Sequence, residues 1–298
     1  MDIRKRKTVI LIWLFNVALG LIILPLLIRP RSIVAWWILV AKGALLLAVA
    51  IVAAATIHWA ASIRRLWLAR RALFRGNYER ALQQMDKVKA VAGYEFRAVI
   101  LILAGRPQEA EAIIAKLGSE ARDPMERARR LTILAELLMD QGRWEQAKEA
   151  LAEAIRNDAG VGSPCVGLAD WYLLQGLEPQ RASDLVDQAN NAPGIAALKL
   201  SVRESTLAFR SATKALALAR LGRHRESESA IAEAFRLADV KHVPGMAHLH
   251  WRAGLTFAAI GQRSKAREHA QEASAIDPHG KYGKLAAGWL DEDVRIVS

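Results

Sequence analysis

Small residues recur at a fixed spacing within residues 247–278, and this pattern limits the possible fold more than any other feature of the chain. Gly254, Gly261, Ala266 and Ala273 fall at positions 8, 15, 20 and 27 of this window. Apolar residues between them follow helical spacing, and a glycine such as Gly261 is typical of a helix C-terminus. The pattern predicts two helices joined at Gly261, packed so closely that only small side chains fit between them.

The same turn signal, a glycine followed five residues later by a small residue, recurs along the chain. The glycines of the six predicted turns are Gly76, Gly105, Gly142, Gly176, Gly222 and Gly261. A small residue stands at position 8 of every copy: Ala69, Ala98, Ala135, Ala169, Ala215 and Gly254. One copy has an extra residue before Ala182, and another has Ser227 where alanine is usual. We therefore predict six degenerate helix–turn–helix units over residues 64–278.

These motifs resemble the tetratricopeptide repeat (TPR), a helix–turn–helix unit of about 34 residues that stacks with copies of itself. The resemblance implies an all-α fold, a TPR-like α-solenoid in which helix pairs form a right-handed superhelix. It also implies that the concave groove of the superhelix binds a protein partner.

Local signals refine the boundaries of these units. Asp123-Pro124 and Ser163-Pro164 each predict a helix start, with the polar residue as N-cap and proline in the first turn. Residues 195–221 are predicted to be helical, either as one protruding helix or as two helices with a break. Residues 279–298 are predicted to form a capping helix and a frayed tail from Asp291.

Two apolar runs precede the predicted repeats. Residues 8–28 carry no charge and only Asn16 is strongly polar, while residues 34–63 are interrupted by Lys42. Each run is long enough to cross a membrane, so residues 1–63 are predicted to form a two-helix transmembrane hairpin. Either residues 33–42 lie partly in the membrane interface and residues 43–63 span, or Lys42 extends from within the span to the membrane surface. A lysine within the span is also a candidate functional contact. Because residues 44–75 lack glycine and proline, the second span is expected to continue into the first repeat helix.

Basic residues predict the orientation of this hairpin. Four lie at residues 4–7 and five at residues 64–75, but the connecting loop has only Arg29 and Arg31. The positive-inside rule then places both termini and the repeat body in the cytoplasm. The order of elements resembles that of HemY-type bacterial inner-membrane proteins, and this resemblance implies a bacterial inner membrane.

The distribution of charge argues against nucleic-acid binding. The net charge is +12, but residues 1–80 hold 13 Lys and Arg against 2 Asp and Glu, and residues 81–298 hold 29 against 28. A duplex-binding module needs its basic surface on the folded domain, which here is nearly neutral. The single cysteine, Cys165, excludes an internal disulfide and is predicted to be a buried packing residue.

Motifs that carry chemistry are missing from the sequence. It has no P-loop, no G-x-S-x-G and no H-E-x-x-H, and residues 160–165 are predicted to be a turn between repeats. His248 and His250 point about 200° apart on a helix, so they do not face one metal. We expect no enzymatic activity, no cofactor, no metal site and no small-molecule substrate.

Candidate partner-binding residues occupy positions that line the groove in the resembled family. They are Glu95, Thr132, Glu136, Asp140, Asp170, Arg220 and Trp251. The acidic cluster of Glu136, Asp140 and Asp170 either binds a basic or polar segment of a partner or is ordinary surface charge. The lysine and asparagine that hold carboxylate tails in chaperone-binding TPRs are missing from their positions, so an acidic tail is not the expected ligand.

These patterns together predict a protein-interaction scaffold that recruits or assembles partners at the cytoplasmic face of a membrane. The protein partner is expected in the TPR groove, and the lipid bilayer is expected around residues 8–63. The alternative is an accessory subunit of a membrane enzyme or transporter complex, which would contact that complex through the hairpin.

Overall fold

The computed structural model describes residues 33–88, 91–117, 121, 123–157, 160 and 162–297. The chain divides into two compact units, Met1–Arg64 and Arg65–Ser298. The predicted first span, residues 8–28 with Asn16, lies outside the described residues, and so does the side chain of Lys42.

The first described helix, α1, runs from Ile33 to Phe74 without a break. Among the described residues, Gly43–Phe74 is the one helical segment that is long and apolar enough to cross a membrane, with a mean hydropathy of 2.1. Its large apolar side chains, Leu45 and Ile51 for example, are exposed. The second span of the predicted hairpin thus has a helical counterpart in the structure.

The second unit is built from successive helix pairs. After α1 the helices are α2 Tyr78–Met85, α3 Val91–Leu103, α4 Pro107–Leu117, α5 Pro124–Asp140, α6 Trp144–Asn157, α7 Ser163–Leu174, α8 Pro179–Asn190, α9 Leu200–Arg220, α10 His224–Leu237, α11 Val243–Ile260, α12 Arg263–Ile276 and α13 Lys281–Val297. Each of the six predicted turn glycines has a positive φ, between 68° and 86°. The described residues contain no strand. The predicted all-helical, TPR-like solenoid is confirmed.

Close contact between paired helices explains the small residues. The five alanines at position 8 are fully buried, and Gly254 is buried as well. At position 20, Ser227 is also fully buried and its hydroxyl donates a hydrogen bond of 2.8 Å to the carbonyl of Ala215. A buried hydroxyl that forms a hydrogen bond costs little folding free energy, so serine is tolerated where the other repeats have alanine.

The predicted helix starts have different outcomes. Asp123 is the N-cap of α5, and its carboxylate accepts a hydrogen bond from the backbone N–H of Glu126. The prediction that Ser163 caps α7 was wrong, because Gly162 is the N-cap and Ser163 is already helical. Gly162 has a φ of 75°, a conformation that a serine rarely adopts. The extra residue in the fourth repeat is accommodated at Glu178, which has a φ of 36° just before α8.

Residues 195–221 prove to contain one long helix. A short 3₁₀ turn, Pro193–Ile195, precedes α9, which runs unbroken over Leu200–Arg220. The predicted capping helix has its counterpart in α13, which runs over Lys281–Val297. Trp289 and Leu290 pack against the buried alanines of α12, so an amphipathic face stabilises α13 as far as residue 290.

The first and last repeats of the second unit are in contact. The rings of Phe74 and His242 lie 4.4 Å apart between centroids, and the Tyr78 hydroxyl donates to the Asp277 carboxylate. On α13, Lys284 Nζ lies 3.2 Å from the carbonyl oxygen of Ala104. The solenoid therefore curls until its terminal helix reaches the early repeats.

Candidate functional site

The concave side of the second unit holds a cavity of about 340 Å³, lined by residues from α5, α7, α9, α11 and α13. Five of the seven candidate groove residues line it: Thr132, Glu136, Asp140, Asp170 and Trp251. First helices of successive repeats stack side by side, so their exposed faces converge on this space. Most of the residues at the predicted groove positions thus line this cavity.

The carboxylates of Glu136 and Asp140 hold the ammonium group of Lys281. Lys281 Nζ lies 3.2 Å from Glu136 Oε1 and 2.7 Å from Asp140 Oδ1. Burial favours the neutral amine, but Tyr282, Glu136 and Asp140 outweigh this effect and raise the pKa of Lys281. Burial also raises the pKa of Asp140, against the attraction of Lys281. The acidic cluster therefore already binds one basic residue, supplied by α13.

Asp170 is satisfied by two other helices. Its Oδ2 lies 2.8 Å from Arg252 Nη2, and its Oδ1 accepts a hydrogen bond of 3.0 Å from the Thr213 hydroxyl. Burial raises the pKa of the Asp170 carboxyl, and Arg252 opposes this. Breaking such a buried pair leaves an uncompensated charge, so Asp170 has a structural role beside any binding role.

Three rings stack beside these ion pairs. His248 lies between Tyr282, at 3.9 Å between centroids and 5° between planes, and Phe209, at 5.2 Å. His248 Nε2 accepts a hydrogen bond of 3.2 Å from Arg252 Nε. Burial, followed by the charge of Arg252, holds the pKa of His248 well below its usual value. His248 is thus neutral with its proton on Nδ1, because Nε2 is the acceptor.

The other two candidate groove residues lie elsewhere. Glu95 is buried and receives hydrogen bonds from Arg129 Nε and Arg130 Nε, both at 2.9 Å. Arg220 donates to the carbonyl of Leu173 and so joins the ends of α9 and α7. The structure places neither side chain among those lining the cavity, and both hold repeats together.

Several residues of the cavity carry no signal in the repeat pattern, in particular Arg210, Arg252, Lys281 and Tyr282. Lys281 and Tyr282 lie in the predicted capping helix, whose contact with α5 spans 145 positions of sequence. The acidic cluster of Glu136, Asp140 and Asp170 indicates that cations lie nearby, because neighbouring carboxylates are buried only when cations pair with them.

Cys165, His250 and His269 are not among the residues that line the cavity. Cys165 is buried, as predicted. His250 Nδ1 and His269 Nδ1 lie 3.1 Å apart, between the rings of Phe235 and Phe257. Over the described residues, no three His, Cys, Asp or Glu side chains are grouped so as to hold a metal ion.

Comparison with known families supports the repeat assignment. The tetratricopeptide repeat family model matches residues 134–177 and 213–281, less than half of the chain. Over these two stretches the sequence match and the helix–turn–helix geometry agree, so both support tetratricopeptide repeats at residues 134–177 and 213–281. Such repeats generally mediate protein–protein interactions through their concave surfaces. No curated protein matches the chain in sequence.

Solved structures with a similar fold are distant in sequence. PilF of Pseudomonas aeruginosa is 16% identical, with 78% of this chain and 98% of that chain covered and a TM-score of 0.43. A tetratricopeptide repeat protein of Parabacteroides merdae is 12% identical, with 78% and 98% covered and a TM-score of 0.39. YrrB, described as a TPR protein with an unusual peptide-binding site, is 19% identical, with 71% and 97% covered and a TM-score of 0.34. At these TM-scores the similarities carry no functional conclusion.

Proposed function

We propose that this protein is a membrane-anchored scaffold that recruits a protein partner at the cytoplasmic face of a bacterial inner membrane. The proposal rests on the apolar segment Gly43–Phe74, whose large side chains between Leu45 and Ile63 are exposed. A long exposed run of apolar side chains is unfavourable in water, and its length matches a bilayer crossing. The five arginines in residues 64–75 support a cytoplasmic repeat body.

The proposed contact for the partner is the concave cavity. Glu136 is the most exposed acid of the cluster, with 39% of its side chain accessible against 21% for Asp140 and 18% for Asp170. The exposed apolar side chains of Leu174 and Leu285 also line the cavity. A basic or polar side chain beside an apolar one would fit this combination, with Glu136 as the carboxylate that it meets.

Photocrosslinking in native membranes tests this contact. A benzophenone amino acid at Leu174, in the cavity wall, is expected to form an adduct with a partner protein. The same group at Leu177, which is similarly exposed but does not line the cavity, is the matched control. Glu136→Gln should weaken the adduct at Leu174, and Glu145→Gln, on the exposed surface of α6, should not. Equal adducts at both leucines would rule out the cavity as the contact.

The alternative, an accessory subunit of a membrane complex, is tested in the same way. A crosslinker at Ile51, exposed on the apolar part of α1, would then capture an integral membrane protein. Adducts at Ile51 without any at Leu174 would favour this alternative over recruitment by the repeats.

The proposed topology is tested by cysteine labelling. Because the single native cysteine, Cys165, is buried, one added cysteine reports its own accessibility. Gln271→Cys, on the exposed surface of α12, should react with an impermeant maleimide only after the inner membrane is opened. Ser32→Cys, in the predicted connecting loop, should react in intact spheroplasts, and the reverse result would invert the proposed topology.

A further inference from the structure

The end of α1 carries a basic and aromatic surface on the side away from the repeat core. Ala69, Ala72 and Leu73 are buried and belong to the core of the second unit. Trp67 and Arg71 are four residues apart and share one face of the helix, and Arg75 follows in the turn directly after it; all three are exposed. Arg70 is exposed next to this face. We call Trp67, Arg70, Arg71 and Arg75 the basic surface.

The arginines of this surface keep an uncompensated positive charge. Over the described part of the chain, the ion pairs of the second unit involve none of them. The two acidic residues that follow, Glu79 and Asp86, are paired with Arg106 at 2.8 Å and with Arg97 at 2.7 Å. Among the residues that the structure describes, no acidic side chain forms an ion pair with the basic surface, which presents its charge outward.

Aromatic rings hold two of these guanidinium groups in place. The Arg71 guanidinium carbon lies 5.4 Å from the centroid of Trp67, and that of Arg70 lies 5.4 Å from the centroid of Phe74. Each pair is separated by four residues, and such cation–π contacts orient the arginine along the helix surface. A half-exposed tryptophan beside arginines is the combination expected where apolar and charged surroundings meet.

We propose that the basic surface binds the headgroups of anionic phospholipids. Its three arginines and the preceding Arg64 and Arg65 make five basic residues within residues 64–75, directly after the apolar part of α1 along the chain. Clusters of four or more basic residues next to a membrane span attract acidic lipids. Tryptophan fits the interfacial layer of a bilayer, which distinguishes this surface from one built for an acidic protein or for nucleic acid. The inference rests on the proposed membrane anchoring and adds a lipid preference to it.

Reconstitution of the full chain into bilayers of phosphatidylcholine with spin-labelled lipid tests the proposal. The immobilised fraction of spin-labelled phosphatidylglycerol is compared with that of spin-labelled phosphatidylcholine. We expect the anionic lipid to be preferred about fivefold at low salt, and the preference to fall in about 1 M salt because the charges are exposed.

Two triple variants that lose the same charge distinguish an effect of the basic surface on the lipid preference from an effect of net charge. Arg70→Gln, Arg71→Gln and Arg75→Gln together should bring the preference close to one. Arg156→Gln, Arg225→Gln and Arg263→Gln, which lie exposed on α6, α10 and α12, should leave it unchanged. Circular dichroism confirms that both variants are folded.

Each other outcome counts against the proposal. Equal immobilisation of both lipids by the native chain would overturn it and leave the membrane anchor intact. Equal loss in the two triple variants would show that net charge, and not this surface, sets the preference. A chain that alkaline carbonate extracts from bilayers of either lipid would refute the anchor itself, and the lipid preference with it.

Discussion

The hydroxyl of Tyr78 donates a hydrogen bond to Asp277 Oδ2 across 199 positions of sequence, and this bond joins the first repeat to the last. Asp277 Oδ1 also accepts a hydrogen bond of 3.1 Å from the backbone N–H of Gly280. One carboxylate thus connects the start of the second unit to the turn that precedes α13. Burial raises the pKa of Asp277, and the hydrogen bonds from Tyr78 and Gly280 oppose this.

Removal of the Tyr78 hydroxyl should destabilise the repeat unit. In Tyr78→Phe the buried carboxylate of Asp277 loses a donor, which costs about 1–3 kcal/mol of unfolding free energy. Urea unfolding of the full chain in detergent, followed by circular dichroism, measures this. Tyr94→Phe, at an exposed tyrosine, is the control and should change the stability by less than about 0.5 kcal/mol. Equal stability of the two variants would show that the bond contributes nothing.

Loss of the Lys281 ammonium should destabilise the cavity. Lys281→Met leaves Glu136 and Asp140 facing each other without a cation, and we expect a loss of about 2 kcal/mol because the pair is only partly buried. Adding Glu136→Gln and Asp140→Asn should restore most of the loss. Lys265→Met, at an exposed lysine 3.8 Å from Glu228, is the control. Failure of the neutral pair to restore stability would mean that packing, and not charge, explains the effect.

Gly162 should tolerate alanine much less well than Gly222. Both have a positive φ, 75° and 74°, so each variant carries a similar backbone strain. A Cβ at Gly162 would lie 2.8 Å from the Cα of Ala189, whereas one at Gly222 meets nothing within 4 Å. We expect Gly222→Ala to cost about 1 kcal/mol and Gly162→Ala at least twice as much. Equal melting temperatures would show that α7 and α8 separate easily at this point.

Acidification should destabilise the protein below about pH 6.5. Burial is the largest factor that lowers the pKa values of His242, His248, His250 and His269. The unfolded chain then takes up protons near pH 6.5, where the folded protein does not, so the unfolding free energy falls as the pH decreases. The raised pKa values of Asp140, Asp170 and Asp277 act in the opposite direction, as the pH falls through them toward the ordinary value of 3.8.

Unfolding free energies measured between pH 7.5 and 5 check this dependence. His248→Gln keeps an acceptor for Arg252 and removes one titrating group, so its stability should decrease less steeply with falling pH. Gln271→Asn, at an exposed and uncharged position of α12, should keep the native slope. A native slope in His248→Gln would show that His248 does not set the dependence.

Local rules were sufficient to predict the repeats. The turn at Gly261 and the small residue at position 169 reflect contacts within one helix or between two consecutive helices. Short sequence patterns are enough to predict such local contacts. Ser163 was misassigned as a cap because a left-handed glycine, Gly162, satisfies the same position without a polar side chain.

The cavity was only half predictable. Spacing within a helix identified Glu136 and Asp170, but not the cations that neutralise them. Lys281 meets Glu136 only because the solenoid curls back, and its curvature is the sum of small rotations between repeats that no single motif encodes. The prediction that Glu95 lines the groove was wrong for a related reason. Glu95 forms a buried ion pair with Arg130 of the next repeat, a contact that spacing within one helix does not predict.

The contact between the first and last repeats also fixes how many repeats the protein can hold. An open stack accepts one more copy at little cost, because each unit touches only its neighbours. Here a duplicated helix pair would move Asp277 away from Tyr78 and Lys281 away from Glu136. Gain or loss of a whole copy is therefore disfavoured, and tolerated insertions and deletions should fall in the turns between helices.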